Sequence, residues 1–327
     1  MTVFYEIMQS TFIVAIPLLI VALGGLFSER SGVTNIALEG IMLVGGFFGI
    51  WMVQTLERNT DMNVQLIYIA AILIGAITGA IYSMLHAWAS IYMKSDQIIS
   101  ATALNLFAVS FVVFVARTTQ RHIDGRPTGG SQISYTSRFI INKFPVLGDI
   151  PFIGDIFFTQ MYTSLLIGIG ILIITIIIMY KTRLGLRIRA CGENPHAADS
   201  LGINIYRLRF LAVSISGALA GIGGVTFIAN TSTEYAPTVA GLGFLAIAVL
   251  IFGNWKPHFI AVGAIFFGLT RVLGQYYTNI PFLNNLGIPS AYYRMTPYVA
   301  TILVLAIFSK SSRAPKALGQ IYDQGKR

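Results

Sequence analysis

The stretch Lys181–Arg209, KTRLGLRIRACGENPHAADSLGINIYRLR, lies between two long apolar segments and decides how the chain is threaded. It carries Lys181, Arg183, Arg187, Arg189, Arg207 and Arg209 against Glu193 and Asp199. Short loops this basic are retained on the cytoplasmic side of a membrane. Within the loop, Asn194 suits an N-cap and Pro195 suits the first helical position, where a missing N–H costs nothing. His196, Ala197, Ala198, Asp199, Ser200 and Leu201 continue the helix, and Gly202 stops it. Two turns of helix are not stable alone in water, so either the flanking helices or a partner surface must hold them, and a partner surface is the reading taken here. An impermeant thiol reagent is expected to reach Cys191, just before this helix, only from the cytoplasmic side.

Working outward, composition sets the class. The chain has 327 residues, 55% hydrophobic and 11% charged, with a mean hydropathy of +0.72. Soluble domains carry about 25% charged residues, so this is an integral membrane protein surrounded by lipid. One cysteine excludes an intrachain disulfide framework. The formal charge of +9 is not a nucleic-acid signal, because most of the 22 lysines and arginines fall in loops placed inside. The N-terminal MTVFYEIMQS lacks the basic start of a secretory signal, so the run after it reads as a retained helix.

A spanning helix needs about 20 largely apolar residues. The candidates are Met8–Phe27, Val33–Gln54, Leu66–Tyr92, Ile98–Ala116, Met161–Tyr180, Leu208–Ala229, Val239–Asn254, Phe259–Tyr276 and Tyr292–Phe308. The expected fold is therefore all-α and polytopic, one transmembrane domain over 1–327 with about nine spans, in a range of eight to ten. Alternation from the basic loop 181–209 puts Ser28–Gly32, Met93–Gln97 and Trp255–His258 on its side. The basic tail 309–327 falls there too, with Lys310, Arg313, Lys316, Lys326 and Arg327 against Asp323. The N-terminus then lies outside. So does the long loop 117–160, whose Asp124-Gly125, Pro127, Gly129-Gly130, Pro145 and Pro151 announce turns. A connector that long is more often functional than idle.

Small residues mark close helix packing at Gly75-x-x-x-Gly79 and Gly217-x-x-x-Gly221. The two stretches resemble each other, which either a duplicated transporter core or ordinary glycine enrichment would produce. Signatures of enzymes are missing. His86, His122, His196 and His258 are scattered without metal-site spacing. Neither a nucleophile elbow nor a P-loop occurs, so any ATP hydrolysis belongs to another chain.

Polar groups inside the spans are the remaining candidates, since each is expensive in hydrocarbon. Asn35 and Glu39, four apart in the run Ser31–Gly40, are expected to share one helical face. That face either lines a polar path or braces neighbouring helices. The same two readings hold for Asn105. Arg271, with Gln275, Tyr276 and Tyr277, either snorkels to headgroups or forms a gate. Trp51, Trp88 and Trp255 sit near span ends, where interfacial anchoring is the default. An ion-gradient carrier with Glu39 as its ion site is the alternative to an ATP-driven path.

Two motifs together carry a resemblance. They are LFSERSGVTNIALEGIMLVG at 26–45 and RACGENPHAADSLGI at 189–203. They resemble bacterial ABC-importer permeases of the branched-chain amino acid and simple sugar class, most of all nucleoside-type permeases, over about residues 8–310. The resemblance implies a type II ABC importer-like fold. It implies that Gly192, Glu193, Asn194, Pro195, Ala197, Ala198 and Gly202 form the coupling helix that docks in a cleft of the ATPase. Cys191 and His196 depart from the family pattern without abolishing docking. Asn35, Glu39 and Asn105 are the candidates for the translocation path. The resemblance further implies an ATPase dimer holding ATP and Mg, with no cofactor in this chain. It implies a second permease subunit in a heterodimer, and an extracellular or periplasmic solute-binding protein. The place is the bacterial cytoplasmic membrane, with the C-terminus inside. Nucleosides lead as solutes, with a simple sugar or a flavin as alternatives.

Overall fold

The computed structural model describes residues 2–124, 132–143, 159–280, 285–308 and 313–325. Among them, seven helices are long and apolar enough to cross a bilayer. These are α1 (Thr2–Arg30), α2 (Leu38–Asn59), α3 (Val64–Ala87, prolonged by a π-helical turn Trp88–Tyr92), α4 (Gln97–Asp124), α5 (Thr163–Lys181), α8 (Ile205–Thr231) and α10 (Pro257–Tyr276). Two short helices, α6 (Arg183–Glu193) and α7 (Pro195–Ser200), fill the basic loop. Among the described residues, three further α-helices are α9 (Leu242–Phe252), α11 (Ser290–Arg294) and α12 (Thr296–Phe308).

Two expected spans are shorter than the sequence suggested. The run Val239–Asn254 yields only the eleven residues of α9. At about 1.5 Å per residue that covers about half of a hydrocarbon core of about 30 Å. Ala240 and Gly241 take left-handed backbone at φ 54 and 75 and delay its start. The run Tyr292–Phe308 breaks at Met295, because Pro297 has no N–H to offer the Tyr293 carbonyl. The Thr296 hydroxyl donates to that carbonyl instead.

A third correction concerns α2. It begins at Leu38, not Val33, and residues 31–37 form a non-helical break after α1. Gly32, at φ 93, turns the chain there. Asn35 and Glu39 therefore do not share a helical face: Asn35 lies in the break and Glu39 in the first turn of α2.

Burial sorts the helices. α1, α2 and α8 are largely enclosed, whereas α3, α4 and α5 turn one face outward. The outward face of α3 carries Leu66, Ile69, Leu73, Ile77 and Ile81, spaced by three or four residues. Such an apolar stripe is what lipid accepts and water does not. The two small-residue motifs prove to be the two sides of one contact. A Cβ on Gly221 would stand 2.0 Å from the Gly75 carbonyl oxygen, and one on Gly79 would stand 2.4 Å from that of Gly217. Only glycine lets the α3 and α8 backbones approach this closely.

At one end of the helices the break 31–37, the turn before α4, the pair α6–α7, the α9–α10 turn and segment 313–325 meet. The other end carries two short antiparallel ribbons. β1 (Ile133–Ser134) pairs with β4 (Glu234–Tyr235), and β2 (Ile140–Lys143) pairs with β3 (Thr159–Tyr162). The expected loop 117–160 thus begins as the last turns of α4 and contains strands. Its Gly125, Pro127, Gly129, Gly130, Pro145 and Pro151 lie outside the described residues, as do Lys310, Lys326 and Arg327.

Candidate functional site

The basic loop folds because polar caps punctuate it. The Thr182 hydroxyl accepts the Gly185 N–H at 3.2 Å and opens α6. Asn194 serves two helices at once. Its N–H donates to Ala190 O at 2.9 Å and closes α6, while its Oδ1 accepts the Ala197 N–H at 3.0 Å and opens α7. Its extended backbone (φ −153) is what a residue before proline adopts. After Ser200, Gly202 N–H donates to Asp199 O at 2.8 Å and Ile203 N–H to Ala198 O at 3.2 Å. That pair of bonds is a Schellman end, with Gly202 left-handed at φ 79. Asn204 then caps α8 by accepting the Arg207 N–H at 2.9 Å.

α7 buries Pro195 and Ala198 and turns His196, Ala197 and Ser200 outward. Glu193, Asn194 and Gly202 are exposed as well. Leu201 stands 82% exposed at the tip. The end joining α6 to α7 is held firmly from behind. A Cβ on Gly192 would stand 2.2 Å from Arg30 O, so the loop lies flat on the end of α1. Gly192 O also accepts the Ala317 N–H at 2.8 Å. Ser31 O receives two donors, Cys191 Sγ at 3.3 Å and Arg209 Nε at 3.1 Å. Arg30 Nη2 donates to Trp255 O at 2.9 Å, and Trp255 Nε1 donates to Glu29 Oε2 at 2.6 Å.

Two expectations fail here. Cys191 is fully buried, and burial pushes its thiol up against the pull of Arg209, so it is no reporter of sidedness. Trp255 is 4% exposed and braces the α9–α10 turn rather than anchoring an interface.

The polar residues of the spans hold helix starts. Asn35 Nδ2 donates to Ser216 Oγ at 3.0 Å, and its Oδ1 accepts the Ala37 N–H at 3.2 Å. Asn105, from α4, accepts the Gly40 N–H at 2.8 Å and donates to Ile36 O at 3.0 Å. It thereby caps α2, whose own N-cap, Ala37, has no side-chain acceptor. Glu39 does the same for α9, whose N-cap is Gly241. Its Oε1 accepts the Gly241 N–H at 2.9 Å and its Oε2 the Gly243 N–H at 2.6 Å. A carboxylate suits that end of a helix dipole. His86 is buried between Thr34 O at 3.0 Å and Ser100 Oγ at 3.2 Å, a satisfied structural histidine.

Beside the α9 start lies a cavity of about 340 Å³. Arg271, Gln275, Tyr277, Tyr298, Gly241 and Leu245 line it. Arg271 packs over the Phe227 ring at 6.0 Å, and its Nη1 lies 3.5 Å from Ala240 O.

Sequence comparison agrees with this architecture. The family described as the branched-chain amino acid transport system / permease component matches residues 7–307. The chain is 38% identical to the guanosine ABC transporter permease protein NupQ of Bacillus subtilis, covering 98% of this chain and 97% of that protein. It is 39% identical to the nucleoside ABC transporter permease protein NupC of Lactococcus lactis, with the same coverage. A second Bacillus subtilis protein, the guanosine ABC transporter permease protein NupP, is 26% identical over 90% of this chain and 78% of its own length.

Proposed function

We propose, because this chain belongs to the permease family of branched-chain amino acid transport systems, that it is the membrane subunit of an ABC importer and that its solute is a nucleoside. The solute rests on the two relatives matched over nearly their whole length, both named for nucleosides. A simple sugar or a flavin is the competing outcome of an uptake assay. ATP and Mg reside on partner ATPase chains, and this chain makes no covalent chemistry.

The observation that carries the coupling role is the standing of α7: capped at both ends, preceded by an α6 end that rests on Arg30, and bare in front at Leu201. We assign Glu193, Asn194, His196, Ala197, Ser200 and Leu201 to the surface that meets the ATPase. Gly192, Pro195, Ala198 and Gly202 set its shape. In this reading α7 and the tail lie on the cytoplasmic side of a bacterial cytoplasmic membrane, and the ribboned end receives a solute-binding protein. Closure of the ATPases pushes α7, and the push reaches the α1–α2 break through Gly192 and Ser31.

The path we propose runs past the cavity at Arg271. Asn35, Glu39 and Asn105 shape that path by fixing the starts of α2 and α9. An ion-gradient carrier would need a carboxylate free to load its ion, whereas both Glu39 oxygens already receive backbone N–H groups. Bacillus subtilis carries two non-identical permeases, both named for guanosine, which supports a heterodimer here.

The test is reconstitution with the ATPases. Replacing Glu193-Asn194-Pro195 by Gly-Ser-Gly should abolish ATPase association and nucleoside uptake. Unchanged association and uptake would remove the coupling role from α7.

A further inference from the structure

We propose that the C-terminal segment 313–323 is a brace that transmits movement of α7 to the membrane core, with Tyr322 and Arg209 as its positioning residues. The proposal rests on the coupling role assigned to α7.

A segment without helix or strand holds one place only where something ties it down. This one is tied at successive points to elements distant in sequence. The Arg313 N–H donates to Asn254 Oδ1 at 2.8 Å, in the α9–α10 turn. The Ala317 N–H donates to Gly192 O at 2.8 Å, at the end of α6. The Gly319 N–H donates to Gly32 O at 3.1 Å, in the α1–α2 break. Arg209 Nη1 donates to Gln320 O at 3.0 Å, while its Nε holds Ser31 O. Asp323 pairs with Lys94 at 2.9 Å, in the turn before α4. Ala317 and Tyr322 are buried.

Tyr322 makes the decisive contact. Its ring lies 5.2 Å from His196 on α7 and 5.4 Å from Tyr206 at the start of α8. Tyr206 stacks on Tyr92 at 6.0 Å, and Tyr92 lies 5.3 Å from Trp88. A row of rings therefore runs from α7, through the tail, to the π-helical turn that ends α3. Such turns mark functional positions in many helices. Two of the points the tail holds, Lys94 at φ 53 and Asn254 at φ 48, have left-handed backbone, which non-glycine residues seldom adopt.

Besides the tail, α7 meets the core through its buried Pro195 and Ala198 and through its flanking helices, of which α6 rests on Arg30. Through the tail, a push on His196 moves Tyr322. The backbone bonds of 317–320 then carry the displacement to Gly32 and Ser31. From there the break leads directly to Glu39, which holds the start of α9 beside the cavity. Contiguity alone does not establish coupling, so the test measures coupling itself.

The full complex with its ATPases and binding protein is reconstituted in proteoliposomes, and nucleoside imported per ATP hydrolysed is measured. Tyr322→Ala should keep the ATPase bound and hydrolysing but lower import per ATP by about tenfold, within the usual span of coupling between sites. Tyr322→Phe, which keeps the ring, should restore it. Asp323→Lys should lower import per ATP, and the exchange Lys94→Glu with Asp323→Lys should recover it. Should Tyr322→Ala fail to fold, this partly exposed charge exchange still decides. Unchanged import per ATP in Tyr322→Ala or Asp323→Lys would overturn the brace. Loss of ATPase binding in either would also overturn it, by making the tail a docking surface instead. If the Gly-Ser-Gly replacement in α7 uncouples the complex and these variants do not, the brace fails and the coupling helix stands. If that replacement has no effect, the underlying reading fails first.

Discussion

The carboxylate of Glu39 accepts the backbone N–H of Gly243 at 2.6 Å, so the first turn of α2 holds the start of α9. The same side chain takes the Gly241 N–H. One residue thereby fixes where the half-length helix α9 begins, next to the cavity.

Glu39→Gln should weaken that cap. The amide has one acceptor oxygen for two N–H donors and lacks the charge that favours a helix N-terminus. A loss of about 1–2 kcal/mol is expected, read as a lower Tm in detergent. Uptake should fall while ATPase binding to α7 is retained. Wild-type Tm and uptake would separate Glu39 from the path.

Gly221→Ala should be severely disruptive, because its Cβ would enter the Gly75 carbonyl. Overpacking of this kind costs about 1–3 kcal/mol or more. Gly170→Ala is the control: nothing lies within 4 Å of the added carbon. Thermal unfolding of both variants should show a large drop for the first and little change for the second.

Arg271→Gln should raise the KM for nucleoside uptake about ten- to a hundredfold, the loss of roughly one charge-assisted hydrogen bond. Basal ATP hydrolysis should not change. An unaltered KM would move the solute path away from this cavity.

Cys191 should resist alkylation in the purified protein. Thiolate is the reacting form, and burial pushes this thiol up, so less thiolate exists at any given pH than for a free cysteine. Its rate should climb only at a pH above the ordinary thiol range. Comparison with Leu201→Cys in a Cys191→Ala background should show a difference of about tenfold or more at neutral pH.

What the sequence discloses depends on how local each signal is. The helix at 195–200 is legible because Asn194, Pro195 and Gly202 all act within one short stretch. α6 escaped notice beneath its arginines, although Leu184, Ile188 and Cys191 repeat at helical spacing. Hydropathy counted apolar residues over 239–254 and 292–308 but not the breaks inside them, for which Gly241 and Pro297 were the available signs. Gly32 likewise warned that Asn35 precedes a helix. The partners of Asn35, Glu39 and Asn105 are distant in sequence, and one sequence does not pair them. The tail read as a basic stretch on one side of the membrane. Its ties to Gly192 and Gly32 are backbone bonds, which leave no trace in residue type.

Whether α7 meets an ATPase on the cytoplasmic side is tested by a photo-crosslinker placed on Leu201→Cys in the Cys191→Ala background, within the intact complex. A crosslink to the ATPase chain is expected, together with protection of Leu201→Cys from an impermeant thiol reagent added to whole cells. Labelling from outside, or crosslinking to lipid alone, would contradict that contact.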